Sequence, residues 1–127
     1  MDDLLNRAPT LPELQVALDL VLEGKKLIAT PDRWTKFAFA RDGADEAVNE
    51  LDARAYKFCM RGALNRAYLN RGLSFTHPAF QHVLDTFTKV LNGKGMTGFN
   101  DDSPEHARVI GAFDEVASVI NAEVCHA

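Results

Sequence analysis

Apolar residues recur with helical spacing in four stretches of the chain and with alternate spacing in one, and Gly, Pro and Asp-Gly pairs separate them. Thr10-Leu11-Pro12-Glu13 has the order of a capping box, in which the hydroxyl and the carboxylate three residues on satisfy the free amides of a helix start. A first helix is predicted from Leu11 to about Glu23, buried through Leu14, Ala17, Leu18, Val21 and Leu22 and ended by Gly24. The period then shortens. Pro31-Asp32 opens a turn, Phe37 and Phe39 share one side of an extended segment, and Asp42-Gly43 is a hairpin pair, so residues 45–49 return as a second strand or else begin a helix. A second helix is predicted from about Asp52, its N-cap, to Tyr68, with a small-residue stripe of Ala55, Cys59, Ala63 and Ala67. A third is capped by Thr76, has Pro78 in its first turn and a Phe75/Phe80 staple, and stops at Asn92-Gly93. After a glycine-rich linker at residues 93–99, Asp102-Ser103-Pro104-Glu105 starts a fourth, buried through Val109, Ile110, Phe113, Val116, Ala117 and Ile120. The fold class is mainly α: about four helices in a compact bundle, with a short β-hairpin or extended segment between helices one and two. Residues 1–9 read as an arm and 123–127 as a frayed tail of a single domain, 1–127.

Composition narrows the class without naming a function. At 127 residues and 46% hydrophobic the chain can carry one core unaided by staples. The sequence holds no apolar run of about 20 residues and no basic, then apolar, leader, which points to a soluble cytoplasmic protein. Cys59 and Cys125 lie far apart with no CxxC or Cys/His spacing, so both read as reduced thiols and neither a metal site nor a cofactor is expected. The net charge is −4, yet Ala53 to Leu84 holds Arg54, Lys57, Arg61, Arg66 and Arg71 with no acid, so a basic face on an acidic body is expected.

Four constellations bear on chemistry. Residues 93–98 spell GxGxxG, but they follow a helix rather than a strand, so the run reads as a flexible connection and not a dinucleotide loop. Cys59 with His77 or His82 as base and Asn100 or Asp101 as orienter would make a nucleophilic set, against which stands its place in an apolar stripe, where cysteine packs as a small hydrophobe. His77 and His82 are five apart, not the i, i+4 spacing of a helical metal site, and with His106 they read as surface or helix-start residues. Arg54, Lys57 and Arg61 on one helix face suit phosphate or an acidic surface, with Trp34 or the Phe37/Phe39 segment as a stacking platform; the alternatives are solvation or pairing with the acidic stretch Asp42 to Asp52. A pI near 5.5 argues against bulk nucleic-acid binding.

Trp34, Ala40-Arg41-Asp42-Gly43, Phe58-Cys59-Met60-Arg61-Gly62-Ala63-Leu64 and Phe99-Asn100-Asp101 occur in an order that resembles a family of small bacterial and phage proteins known only as a domain of unknown function. The resemblance runs from about Leu14 to Ile120; it departs at Phe58, where many relatives have Trp, and at Thr35-Lys36, where relatives have Cys or Gly. It implies that Trp34, Arg41, Asp42, Cys59, Gly62, Asn100 and Asp101 form one constellation. In it Asp42 and Asn100/Asp101 cap helix ends or tie the extended segment down, and Cys59 and Gly62 permit close packing under Trp34. The phage side of the family suggests an accessory, anti-defence role by analogy alone.

The sequence therefore reads first as a small non-enzymatic binding protein that engages an acidic protein surface or a small phosphorylated ligand through Trp34, Arg41, Asp42, Arg54, Lys57 and Arg61. A Cys59-dependent hydrolase or transferase is the alternative. A structural or homo-oligomeric component is the third reading.

Overall fold

The computed structural model describes residues 8–127, so most of the expected arm lies outside the described residues. Five helices and a small sheet follow one another as α1 (Leu11–Leu27), β1 (Ala40–Arg41), β2 (Ala47–Val48), β3 (Lys57–Phe58), α2 (Met60–Asn70), α3 (Pro78–Val90), α4 (Met96–Asp102) and α5 (His106–Cys125), with a 3-10 turn at Pro31–Arg33. The mainly helical class holds, with one helix and one strand more than the sequence pattern suggests. No helix among the described residues is long and apolar enough to cross a membrane.

α1 is the hub of the bundle, packing on α2, α3 and α5, while α3 also packs on α5. Its start is the expected capping box: the Thr10 amide donates to Glu13 Oε1 at 2.9 Å and the Glu13 amide to Thr10 Oγ1 at 3.3 Å. It does not end at Gly24. That glycine is buried inside the helix, where a Cβ would stand 3.0 Å from Leu64 Cδ2 and 3.2 Å from Phe113 Cε1, so it permits close helix approach instead of a stop. α1, α2, α3 and α5 enclose a core in which Leu20, Met60, Leu64, Phe80, Phe87 and Phe113 are fully buried, and the Phe87 and Phe113 rings meet edge-on at 5.2 Å.

The sheet has the order β2-β1-β3, antiparallel throughout, with Ala40 opposite both Val48 and Phe58. The hairpin expected at Asp42-Gly43 is thus present. Asp42 Oδ1 accepts the amides of Ala44 and Glu46 at 2.9 and 3.0 Å, which closes its loop. The third strand occupies the first half of the predicted second helix. There Asp52 folds an Asx turn onto the Arg54 amide at 2.8 Å, the Tyr56 amide donates to Arg41 O at 2.8 Å, and Lys57–Phe58 pairs with β1. Pairing with β1 overrides the uninterrupted helical spacing in a stretch that carries Tyr56 and Phe58, side chains that suit strands.

Elsewhere the differences are local. α3 is capped by His77, whose Nδ1 accepts the Ala79 amide at 3.1 Å, and not by Thr76; the Phe75 and Phe80 rings meet at 5.8 Å as the staple requires. Asn92 and Gly93 end it in the left-handed region, with φ 56° and 85°. The glycine-rich linker contains α4. α5 runs through the expected frayed tail to Cys125, and Glu123 Oε1 lies 2.7 Å from His82 Nε2.

Candidate functional site

The segment between α1 and β1 is held by one side chain from α4. Asn100, fully buried, accepts at Oδ1 from Trp34 Nε1 (2.8 Å) and the Met60 amide (3.0 Å), and donates from Nδ2 to Thr35 O (3.0 Å) and Asp101 Oδ1 (3.1 Å). Two donors face its oxygen and two acceptors its nitrogen, so the amide has only one orientation that satisfies all four. Met60 opens α2, so Asn100 also supplies a partner for an amide that a helix start leaves free.

A second clamp is Arg41. Its Nε donates to Thr35 Oγ1 at 2.9 Å, one Nη to Asp45 O at 3.1 Å and the other to Lys36 O at 3.2 Å, which joins the hairpin loop to the segment before β1. The third is steric. At Gly62 an added Cβ would fall 1.9 Å from Phe39 O, and the same carbonyl accepts the Cys59 amide at 3.2 Å. Only glycine lets residue 39 lie across the first turn of α2.

These clamps present the two phenylalanines that the sequence places on one side of an extended segment. The segment is bent, not extended. Phe37 has φ 64° and its amide donates to Asp101 Oδ1 at 3.0 Å; the residue is 75% exposed and Phe39 is 46% exposed. Together with Ala38, Cys59, Thr97 and Asp101 they line an open pocket of about 450 Å³.

Cys59 is the N-cap of α2, not a mid-helix residue, and its Sγ accepts the Gly62 amide at 3.3 Å. Burial pushes its thiol pKa up; the amides of Gly62 and Arg61 oppose this, and the charges of Asp101 and Glu50 add to the rise. The expected bases are occupied elsewhere: His77 caps α3 and His82 meets Glu123, while the third histidine, His106, has Nε2 2.6 Å from Ile28 O. Among the described residues, no three His, Cys, Asp or Glu side chains gather as a metal-binding set.

Arg54, Lys57 and Arg61 do not share a helix face, because they lie on a turn, on β3 and on α2. Arg54 grips Asp52 through Nη2 and Oδ2 at 2.9 Å, and Lys57 meets Asp45 at 3.1 Å, which is pairing with the acidic stretch of the same molecule. Arg54 holds the Asp52 carboxyl down to a pKa of about 2. Arg61 donates to Asn65 Oδ1 at 2.9 Å and lies over the Phe75 and Phe80 rings. Of the residues singled out in the sequence, the structure brings Trp34, Arg41, Cys59, Gly62, Asn100 and Asp101 to one place and leaves Asp42 to close the hairpin loop. It shows Phe37, already singled out with Phe39, as exposed and left-handed, and adds Thr97 as pocket wall. A left-handed phenylalanine has no sequence signature, whereas Thr97 would have been found only by recognising α4.

The model of the family described as "Family of unknown function (DUF6197)" matches residues 14–119, and the chain belongs to that family. No curated protein and no solved structure matches it.

Proposed function

We propose that this member of the DUF6197 family is a non-catalytic binding module that takes an apolar group of its partner into the pocket walled by Phe37 and Phe39. The observation that carries this reading is Phe37, a bulky residue held at positive φ and three-quarters exposed. A left-handed backbone costs about 1–2 kcal/mol at a non-glycine residue, and an exposed ring returns little of the burial energy a phenylalanine supplies. The Asp101 carboxylate that accepts the Phe37 amide holds the backbone there, while most of Phe37 stays exposed in the free molecule. A partner that covers the ring offsets what remains, which is the usual logic of strain stored at a binding site.

Thiol chemistry at Cys59 is the second reading. Its position favours it, since it heads α2 and lines the pocket; its raised pKa opposes it, since the nucleophile is the thiolate.

Titration of isotopically labelled protein with a library of aromatic and aliphatic fragments tests the first reading. Amide shifts gathered at Ala38, Cys59, Thr97 and Asp101 and lost in Phe37→Ala are expected; fragments that bind elsewhere, or equally to the variant, contradict it.

A further inference from the structure

The pocket walled by Phe37 and Phe39 carries a single charge, and that charge is negative. Of the residues that line it, Phe37, Ala38, Phe39, Cys59 and Thr97 are uncharged and Asp101 is an acid. Asp101 is half-buried, and both hydrogen bonds that its carboxylate accepts, from the Phe37 amide at 3.0 Å and from Asn100 Nδ2 at 3.1 Å, fall on Oδ1. Among the described residues Oδ2 accepts no hydrogen bond, and no cationic side chain forms an ion pair with Asp101. Lys94 meets Asp102 instead, at 2.6 Å. A half-buried carboxylate beside apolar walls attracts a cation more strongly than one in open water, because the surrounding dielectric is lower. The same sign is felt at Cys59: burial is the main cause of its raised thiol pKa, and the charges of Asp101 and Glu50 add to the rise.

We infer that the pocket takes a lysine side chain from a basic segment of a partner protein, with the alkyl stem against Phe37 and Phe39 and the ammonium on Asp101. This rests on the binding-module reading above, since the stem is the apolar group which that reading requires, and it names the partner class. Lysine has the two halves needed: a stem that packs on apolar surface and a cation that aromatic faces also attract. Arginine is the poorer match, because a guanidinium binds a carboxylate best through both oxygens, and Oδ1 of Asp101 already takes two donors. Phe37 and Phe39 are both exposed, so a ligand that covers them reaches beyond the pocket, as a peptide does around an anchor residue. The net charge of −4 favours the approach of a basic partner over an acidic one.

Panning displayed random dodecapeptides against the whole immobilised protein, beside Phe37→Ala and Asp101→Asn, tests the assignment. Asp101→Asn keeps an oxygen for the Phe37 and Asn100 donors and removes the charge. Enriched peptides should carry a lysine that alanine scanning of the peptide shows to be the anchor, should bind Phe37→Ala poorly, and should bind Asp101→Asn about fivefold or more weakly. Their affinity should fall as salt rises. Norleucine in place of the anchor lysine keeps the stem and removes the charge without touching the protein, so it should cost about fivefold on the parent and almost nothing on Asp101→Asn. A norleucine peptide that binds the parent as well as the lysine peptide does, or anchors that are arginine, neutral or acidic and still need Phe37, would overturn the lysine assignment and leave the pocket reading standing. Enrichment that ignores Phe37, or none at all, would overturn both.

Discussion

At the scale of single residues, Asn100 joins three parts of the chain that are distant in sequence: Trp34 and Thr35, the start of α2, and α4. Replacing it by alanine leaves two buried donors and a carbonyl without partners, and about 3 kcal/mol of stability is expected to go. Asn100→Asp is the sharper test. Its second oxygen would face Thr35 O and the Asp101 carboxylate, both acceptors, so the introduced carboxyl favours its protonated form in the fold and its pKa rises. Stability relative to the parent is then kept at low pH, below the unfolded value of about 3.9, and lost as pH rises through the folded value. Thermal melts from about pH 4 to about pH 8 should show this divergence, and parallel curves would remove Asn100 from its central place.

The two thiols should behave differently. Cys125 is exposed and Cys59 is buried with a raised pKa, so alkylation from about pH 6 to about pH 9 should modify one thiol quickly and the second only on unfolding. Rapid loss of both would revive the nucleophile reading. The role of Asn100 and Asp101 was legible only through the family resemblance, because nothing in the residue types around them distinguishes a buried hub from a helix cap.

Among the elements, the sequence was clearest where one helix face explains everything. The capping box, the hairpin at Asp42-Gly43, the Phe75/Phe80 staple of α3 and the stripe of α5 follow from spacing, and all are present. The start of α2 was not legible. Ala55, Cys59, Ala63 and Ala67 keep a helical interval across a boundary where the chain is a turn and a strand, since long-range pairing with β1 decides the conformation of Lys57–Phe58. α4 was hidden for another reason: at seven residues it is too short for a period, and its one fully buried side chain is the polar Asn100.

Gly24 reads as a stop in the sequence yet is a contact point, whereas Gly62 is the close-packing position that the resemblance implies, with the Phe39 carbonyl as its neighbour. Gly62→Ala places a methyl group against the Phe39 carbonyl, so a loss of about 3 kcal/mol or more in denaturant unfolding is expected, with the Phe37–Phe39 loop displaced. Unchanged stability would mean that the loop does not lie across α2.

Across the whole molecule, much of the basic run visible in the sequence pairs within the chain, one of the alternatives that its pattern leaves open. The basic run from Arg54 to Arg71 is largely engaged at the surface of its own chain: Arg54 and Lys57 answer Asp52 and Asp45, Arg66 donates to Glu50 O at 2.7 Å, and Arg71 meets Glu23 at 2.6 Å. Such pairs and backbone contacts organise the surface of the fold. Lys36 and Arg108 lie over the rings of Trp34 and Phe99, contacts that a linear reading of charge does not show. If the Phe37 ring is displayed for a partner, the ring adds nothing to the fold that displays it, and only its backbone amide ties the residue to Asp101.

The most direct test of that display is the melting temperature of Phe37→Gly. Glycine relieves the left-handed strain at the cost of a more flexible unfolded chain, and a net gain of about 2–5 °C is expected. A lower melting temperature would show that the ring stabilises the molecule itself and would contradict the account.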